Sequence, residues 1–265
     1  MYSASDIAIK YLRYLVSSSN GKGHGIHSPF VFDFVTKVLN DRSEPEVFQR
    51  IESLRGELRE DDRRVTVEDL GAGSAIDSSR ERRVGDIARH AAKPPKYGRL
   101  LHRIARHYGC RRVLEIGTSL GLSTSYLASA EGVEEVVTLE GVPGIVELAE
   151  ENFDKLGLGN IEVVAGRFED TLPGVLDSQP PPDLVFFDGN HRREPTLRYF
   201  ELCMRNLRET DVYVFDDIHW SREMEEAWES IRSDPRVACT IDLFFVGVVF
   251  FRSEFRHKQR FSIRY

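Results

Sequence analysis

The chain has 265 residues, with 36 Lys and Arg against 43 Asp and Glu, a net charge of -7 and a pI near 5.7. That balance gives no general electrostatic footprint for duplex nucleic acid, and no run of some 18 apolar residues is present to cross a membrane. Cys110, Cys203 and Cys239 are odd in number and far apart, which predicts a reducing cytoplasm with neither a disulfide frame nor a zinc cluster.

The opening segment MYSASDIAIKYLRYL is amphipathic and lacks a small-residue cleavage site, so it reads as a helix rather than a signal peptide. Its apolar stripe suits the core, a contact in a homodimer, or a partner. The loop NGKGHGIHSPF, residues 20–30, follows. His24 and His27 there read as loop histidines before the Pro29 turn. A metal pair, or a substrate lid flanked by Phe30, Phe32 and Phe34, are the other readings. Residues 1–98 as a whole read as a mainly helical N-terminal extension. Within it VEDLGAGS, 67–74, imitates a glycine cofactor loop but is not followed by a second apolar strand ending in an acid, so a loop over an active site suits it better.

From residue 99 onward strands and helices alternate. RVLEIG (112–117), VVTLE (136–140), IEVVAG (161–166), DLVFFDG (183–189) and DVYVFDD (211–217) are short apolar runs of the buried parallel type. Between them IVELAEENFDKLG and TLRYFELCMRNL carry apolar residues at helical spacing, and Gly157 is placed to end the first. The closing stretch CTIDLFFVGVVFFRS predicts two antiparallel strands meeting near Gly247. The pattern is a doubly wound, Rossmann-like α/β sheet, mostly parallel with an antiparallel last strand, over residues 99–265.

The most telling stretch is VLEIGTSLGLST, 113–124, where an apolar strand runs through a glycine turn into a helix expected over 121–130. Gly117 and Gly121 remove side chains where backbone must approach a ligand, and Ser123 and Thr124 open a helix whose amides point at it. The second strand ends in Glu140, roughly 20 residues on, where an acid can accept from both ribose hydroxyls. The spacing E-x-G-x-x-x-G lacks the third glycine of dinucleotide sites, which disfavours a pyrophosphate. Glu115, Gly117, Gly121 and Glu140 resemble the corresponding motifs of the class I S-adenosylmethionine-dependent methyltransferases. That resemblance implies S-adenosylmethionine as cofactor, held by Glu115, Gly117, Thr118, Ser119, Gly121, Ser123, Glu140, Gly141, Gly166, Arg167, Phe168 and Asp188. The Gly-Asp usual after the third strand of that family stands here as Gly166-Arg167.

Asp188, just past the fourth strand, and Asp216 and Asp217, past the fifth, are expected to converge on one edge of the sheet. Three such acids repel unless a cation or raised pKa values compensate, and oxygen ligands suit Mg²⁺ or Mn²⁺ better than zinc. The competing reading has Asp188 hold cofactor or loops while Asp216 and Asp217 cap a helix from about 221. The acids are similar to the metal set of the catechol and caffeoyl-CoA O-methyltransferases and of the antibiotic-sugar methyltransferases. His191 stands where the catechol type carries a lysine, and can accept a hydroxyl proton. End to end, the chain is similar to bacterial methyltransferases with a long N-terminal extension. The resemblance implies metal-assisted methylation of a hydroxyl on a small molecule, with His191 and Asp188 at the reaction. A metal-independent N- or RNA-base methyltransferase and a non-catalytic binding module are the alternatives. Trp220 and Phe30 are candidate pocket walls.

Overall fold

The computed structural model describes residues 1–67, 81–90 and 93–265, and the GAGS segment at 71–74 lies outside them. By compactness the chain divides into one unit of Met1–Asp41 with Asp183–Tyr265 and a second of Arg42–Pro182. The grouping runs across the boundary drawn between residues 98 and 99, because the first 41 residues cluster with the chain's last third.

The first unit opens with α1 (Ala4–Ser17), started by a capping box in which Ser3 and Asp6 each satisfy the other's backbone amide. The inner face of α1 carries Tyr11 and Tyr14, whose rings lie 5.0 and 5.3 Å from Phe244. Ile9, Leu12 and Val16 remain exposed on its outer face. After the glycine loop come α2 (Pro29–Phe34) and a widened turn over Val35–Leu39. Phe30 meets Phe250 and Phe255 edge-on beneath the Arg252 guanidinium, so its ring is spent on packing.

The second unit begins with α3 (Glu46–Glu60), a short antiparallel pair β1 (Arg64–Thr66) and β2 (Glu81–Arg83), then α4 (Val84–His90) and α5 (Pro95–His107). The repeating βα part follows as β3 (Arg112–Ile116), α6 (Leu122–Ala128), β4 (Glu135–Glu140), α7 (Pro143–Leu156), β5 (Ile161–Ala165) and α8 (Phe168–Ser178). These strands run parallel in the order β3-β4-β5. Gly157 ends α7 in the left-handed conformation, as its position predicts. The core joins Phe48, Ile51, Leu54 and Leu58 of α3 to Leu120, Leu122, Tyr126, Ile145 and Leu148. Only β5 departs from the expected buried type. As the outer strand it exposes Glu162 and Ala165.

The first unit resumes with β6 (Leu184–Phe187), α9 (Arg193–Cys203), β7 (Val212–Asp216), α10 (Arg222–Ser233), β8 (Cys239–Asp242), β9 (Val246–Phe250) and β10 (Gln259–Ser262), with strand order β10-β8-β9-β7-β6. β6 and β7 are parallel, and β9 runs antiparallel to both β7 and β8, which gives the expected reversed pair. Residues 243–245, not Gly247, make that turn. Gly247 sits inside β9, where an added Cβ would lie 2.6 Å from the Trp228 ring. β10, which pairs parallel to β8, has no counterpart in the sequence reading. Across the described residues the architecture is a mostly parallel Rossmann-like α/β fold.

Candidate active site

In the second unit the turn after β3 crowds three left-handed residues into five positions, with φ of 108° at Gly117, 49° at Ser119 and 76° at Gly121. Glycine makes two of them cheap, and at Gly121 a side chain would strike the Phe153 ring. The turn is stitched to its neighbours. Gly117 and Thr118 both donate backbone N–H to the Leu139 carbonyl at 3.1 Å, and Asn152 Nδ2 donates to the Leu120 carbonyl at 3.0 Å.

Beneath the turn Glu115 is fully buried, and its Oε2 accepts from the Thr124 hydroxyl and, at 2.7 Å, from that of Thr138. Burial pushes its carboxyl up to about 7 despite those donors and Ser123. The other oxygen, Oε1, has no hydrogen-bond partner. Glu115 therefore pins the loop from below. Glu140 closes β4, and its two oxygens accept from the backbone N–H of Ser119 at 2.9 Å and of Val142 at 3.1 Å. With the Gly141 amide as a third donor, the carboxylate keeps capacity to accept from a further hydroxyl. Burial raises its pKa against those backbone donors and that of Gly141. Gly166, at φ 139°, donates its N–H to the Glu140 carbonyl at 2.8 Å, which ties the end of β5 to that acid. Arg167 is exposed and precedes α8, while Phe168 is half-buried. Asn152 and Thr138 were missed in the sequence, and Thr124 was read only for its helix amide. A buried Asn on the apolar face of a helix, and threonines within otherwise aliphatic runs, were the available signals.

In the first unit the carboxylates gather. β6 and β7 pair with Phe187 beside Phe215, so the next residues on each strand, Asp188 and Asp216, follow from adjacent positions. One ligand atom each from Asp188, His191 and Asp216 lies within 4.8 Å of the others, the grouping found among the described residues. Asp216 is buried, whereas Asp188 and His191 are partly exposed. His191 Nε2 stands 3.5 Å from Asp188 Oδ1. Burial works against its charged form, but the hydrogen bond to Asp188 and the charges of Asp217, Asp188 and Asp216 prevail and raise it to about 9. The acids thus favour the protonated imidazole, a preference that a cation held between them would remove. Asp217 contributes charge but no ligand atom. It turns left-handed at φ 52°, and its carbonyl accepts from the Trp220 amide. The helix after it is capped by Ser221, whose side chain accepts from Met224 N–H at 3.1 Å, so neither acid serves as the cap. Two carboxylates and an imidazole at this spacing suit a divalent cation. His24 and His27 do not belong to the cluster.

Residues 114–218 match the family model described as a methyltransferase domain. This part of the chain is a methyltransferase domain. The chain is 39% identical over 123 residues to a catechol O-methyltransferase of Mycobacterium tuberculosis, covering 46% of this chain and 54% of that one. A catechol O-methyltransferase of Niastella koreensis is 29% identical over 127 residues, 47% of this chain and 57% of that one. The methyltransferase match thus spans little more than half the length of these relatives. Among solved structures, an O-methyltransferase from Bacillus cereus in complex with SAH superposes with a TM-score of 0.54 at 22% identity, over 83% of this chain and 97% of that one. The SAH-bound Podospora anserina methyltransferase PaMTH1 gives 0.59 at 16% identity, over 96% and 98%. At those identities they establish the fold, which is that of the class I methyltransferases.

Proposed function

We propose that the chain transfers the sulfonium methyl of S-adenosylmethionine to a hydroxyl oxygen of a small molecule, assisted by a divalent cation. The observation that carries the reading is the convergence of Asp188, His191 and Asp216, added to a domain of methyltransferase type. The S–CH₃ bond breaks as the C–O bond forms, releasing S-adenosylhomocysteine and the hydroxyl proton. Glu140 accepts from the ribose hydroxyls. Glu115 keeps the Gly117–Gly121 turn in place from below, Ser119 and Gly141 line it through their backbones, and Phe168 offers an apolar face to the adenine. Asp188 and Asp216 would hold the cation, which lowers the pKa of a hydroxyl that binds it and so favours transfer at neutral pH. Since the sulfonium is already activated, most of the rate comes from alignment of donor and acceptor.

The names of the catechol O-methyltransferase relatives make vicinal aromatic diols the first acceptors to screen. The three free, buried cysteines support a reducing, cytoplasmic setting, and no described helix is long and apolar enough to cross a membrane. The exposed Ile9, Leu12 and Val16 support a contact between two copies, which sedimentation of a Leu12→Lys variant tests. The function is tested by calorimetry of metal-stripped protein with S-adenosylhomocysteine, followed by methylation assays with Mn²⁺ or with EDTA. Cofactor binding with EDTA-sensitive turnover supports the reading. Turnover indifferent to EDTA leaves a metal-independent methyltransferase, and absence of cofactor binding leaves a binding module.

A further inference from the structure

We propose that His191 is a nitrogen ligand of the cation, so that the centre is a mixed imidazole–carboxylate site for a divalent transition metal rather than an all-oxygen site for Mg²⁺. This rests on the reading that a cation binds at Asp188 and Asp216.

Three observations carry it. The first is that the third place in the ligand set is occupied by an imidazole. The sequence pattern offers Asp217 for that place, but no oxygen of Asp217 joins the group of close ligand atoms, whereas His191 does. Asp217 leaves β7 in a left-handed turn at φ 52°, and Asn190 reverses the chain at φ 62°, just before His191. The second is spacing. Two metal–ligand bonds of about 2.1 Å put their donor atoms about 3 Å apart at a right angle and just over 4 Å apart when opposite. His191 Nε2 and Asp188 Oδ1, at 3.5 Å, lie between those values, and the 4.8 Å span of the whole set needs only small side-chain rotations to close. The third is rigidity. Asp216 is the last residue of a strand paired on both sides, to β6 and to β9, and is buried, so one ligand is held by the sheet while the other two flank a single tight turn.

The chemistry then follows from donor type. Mg²⁺ takes oxygen and keeps much of its water, whereas affinity for a site with a nitrogen ligand rises from Mn²⁺ through Co²⁺ to Ni²⁺, and imidazole suits Zn²⁺ as well. A site with one imidazole and two carboxylates discriminates against Mg²⁺ by the ligand it offers. It also takes Nε2 of His191 out of play as a proton acceptor.

The test uses the full-length, metal-stripped protein and Mn²⁺ alone, without acceptor. Pulsed electron paramagnetic resonance of bound Mn²⁺ is expected to show coupling to one imidazole nitrogen, absent in His191→Gln, with Mn²⁺ affinity at least about tenfold weaker in that variant. His191→Asp, which restores an all-oxygen set, is expected to move the preference back toward Mg²⁺ in competition titrations. S-Adenosylhomocysteine binding, read on each variant, shows that the fold is intact, and the wild-type spectrum decides the matter even where a variant does not fold. Mn²⁺ bound with no nitrogen coupling, yet lost in Asp216→Asn, overturns this inference while leaving the cation reading in place. No Mn²⁺ binding to wild type overturns both.

Discussion

His219 and Glu225 are joined by a hydrogen bond of 3.1 Å, and the same carboxylate accepts from the Tyr2 hydroxyl at 2.7 Å and from Lys10 Nζ at 2.9 Å. The other ring nitrogen of His219 meets Asp242 at 2.9 Å, and Tyr2 donates its backbone N–H to the Trp220 carbonyl. Residues far apart in the chain, from α1, the turn after β7, α10 and β8, thereby share one charged knot, two residues beyond Asp217. Removing its centre leaves several partly buried donors without an acceptor. Glu225→Ala is expected to lower stability by about 2–4 kcal/mol, and Tyr2→Phe, which removes one hydrogen bond, by about 1 kcal/mol, both read by urea unfolding.

The knot also sets a pH dependence. Burial opposes protonation of His219, but the hydrogen bonds and charges of Asp242 and Glu225 outweigh it, so its folded pKa lies above the ordinary value of 6.5. A raised folded pKa stabilises fully below the unfolded value, and the stabilisation is lost as pH rises through the folded one. Wild type is therefore expected to exceed His219→Gln in stability most at pH 6, with the gap shrinking toward alkaline pH. A gap that widens with pH rejects the ionic knot. Because His191 is common to both proteins, its own titration cancels in the comparison.

Glu115→Ala removes the acceptor of two buried hydroxyls, those of Thr124 and Thr138. A cost of about 1–3 kcal/mol for each unsatisfied donor is expected, with a lower melting temperature and weaker S-adenosylhomocysteine binding. Glu115→Gln, which keeps an acceptor oxygen, is expected to lie between Ala and wild type in both readouts.

Gly121→Ala combines a left-handed backbone with a Cβ driven into the Phe153 ring, whereas Gly247→Ala meets Trp228 from an extended strand. Each is expected to destabilise by about 1–3 kcal/mol. Only Gly121→Ala is expected to weaken calorimetric binding of S-adenosylhomocysteine beyond what the lost stability explains.

Asp216→Ala is expected to abolish Mn²⁺ binding and to reduce metal-dependent turnover by at least about 100-fold, and Asp217→Ala to reduce it less, since Asp217 supplies charge but no ligand atom. Equal losses in the two variants would place Asp217 in the ligand set after all.

Local pattern was enough to read the repeating βα part. Each strand is a short apolar run, so β3, β4, β6, β7 and the glycine turn after β3 could be located from neighbouring residues, as could Glu140 at the end of its strand. Gly157 and the reversed β8–β9 pair were legible for the same reason. Where the information was not local, the reading failed. β10 owes its conformation to pairing with β8, which no feature of QRFS announces. Gly247 looked like a turn residue because its true constraint, the Trp228 ring, lies on another element.

The sequence by itself determined the fold class, the glycine turn after β3 and the presence of acids after two successive strands, since these depend on residues within a few positions of one another. Only tertiary structure decided which donors meet. The parallel register of β6 and β7 brings Asp188 to Asp216, His191 completes that group of close donors, and the Tyr2 hydroxyl reaches Glu225. Those outcomes hang on strand register and on how the chain folds back after the strands, and a one-dimensional spacing of aspartates carries neither.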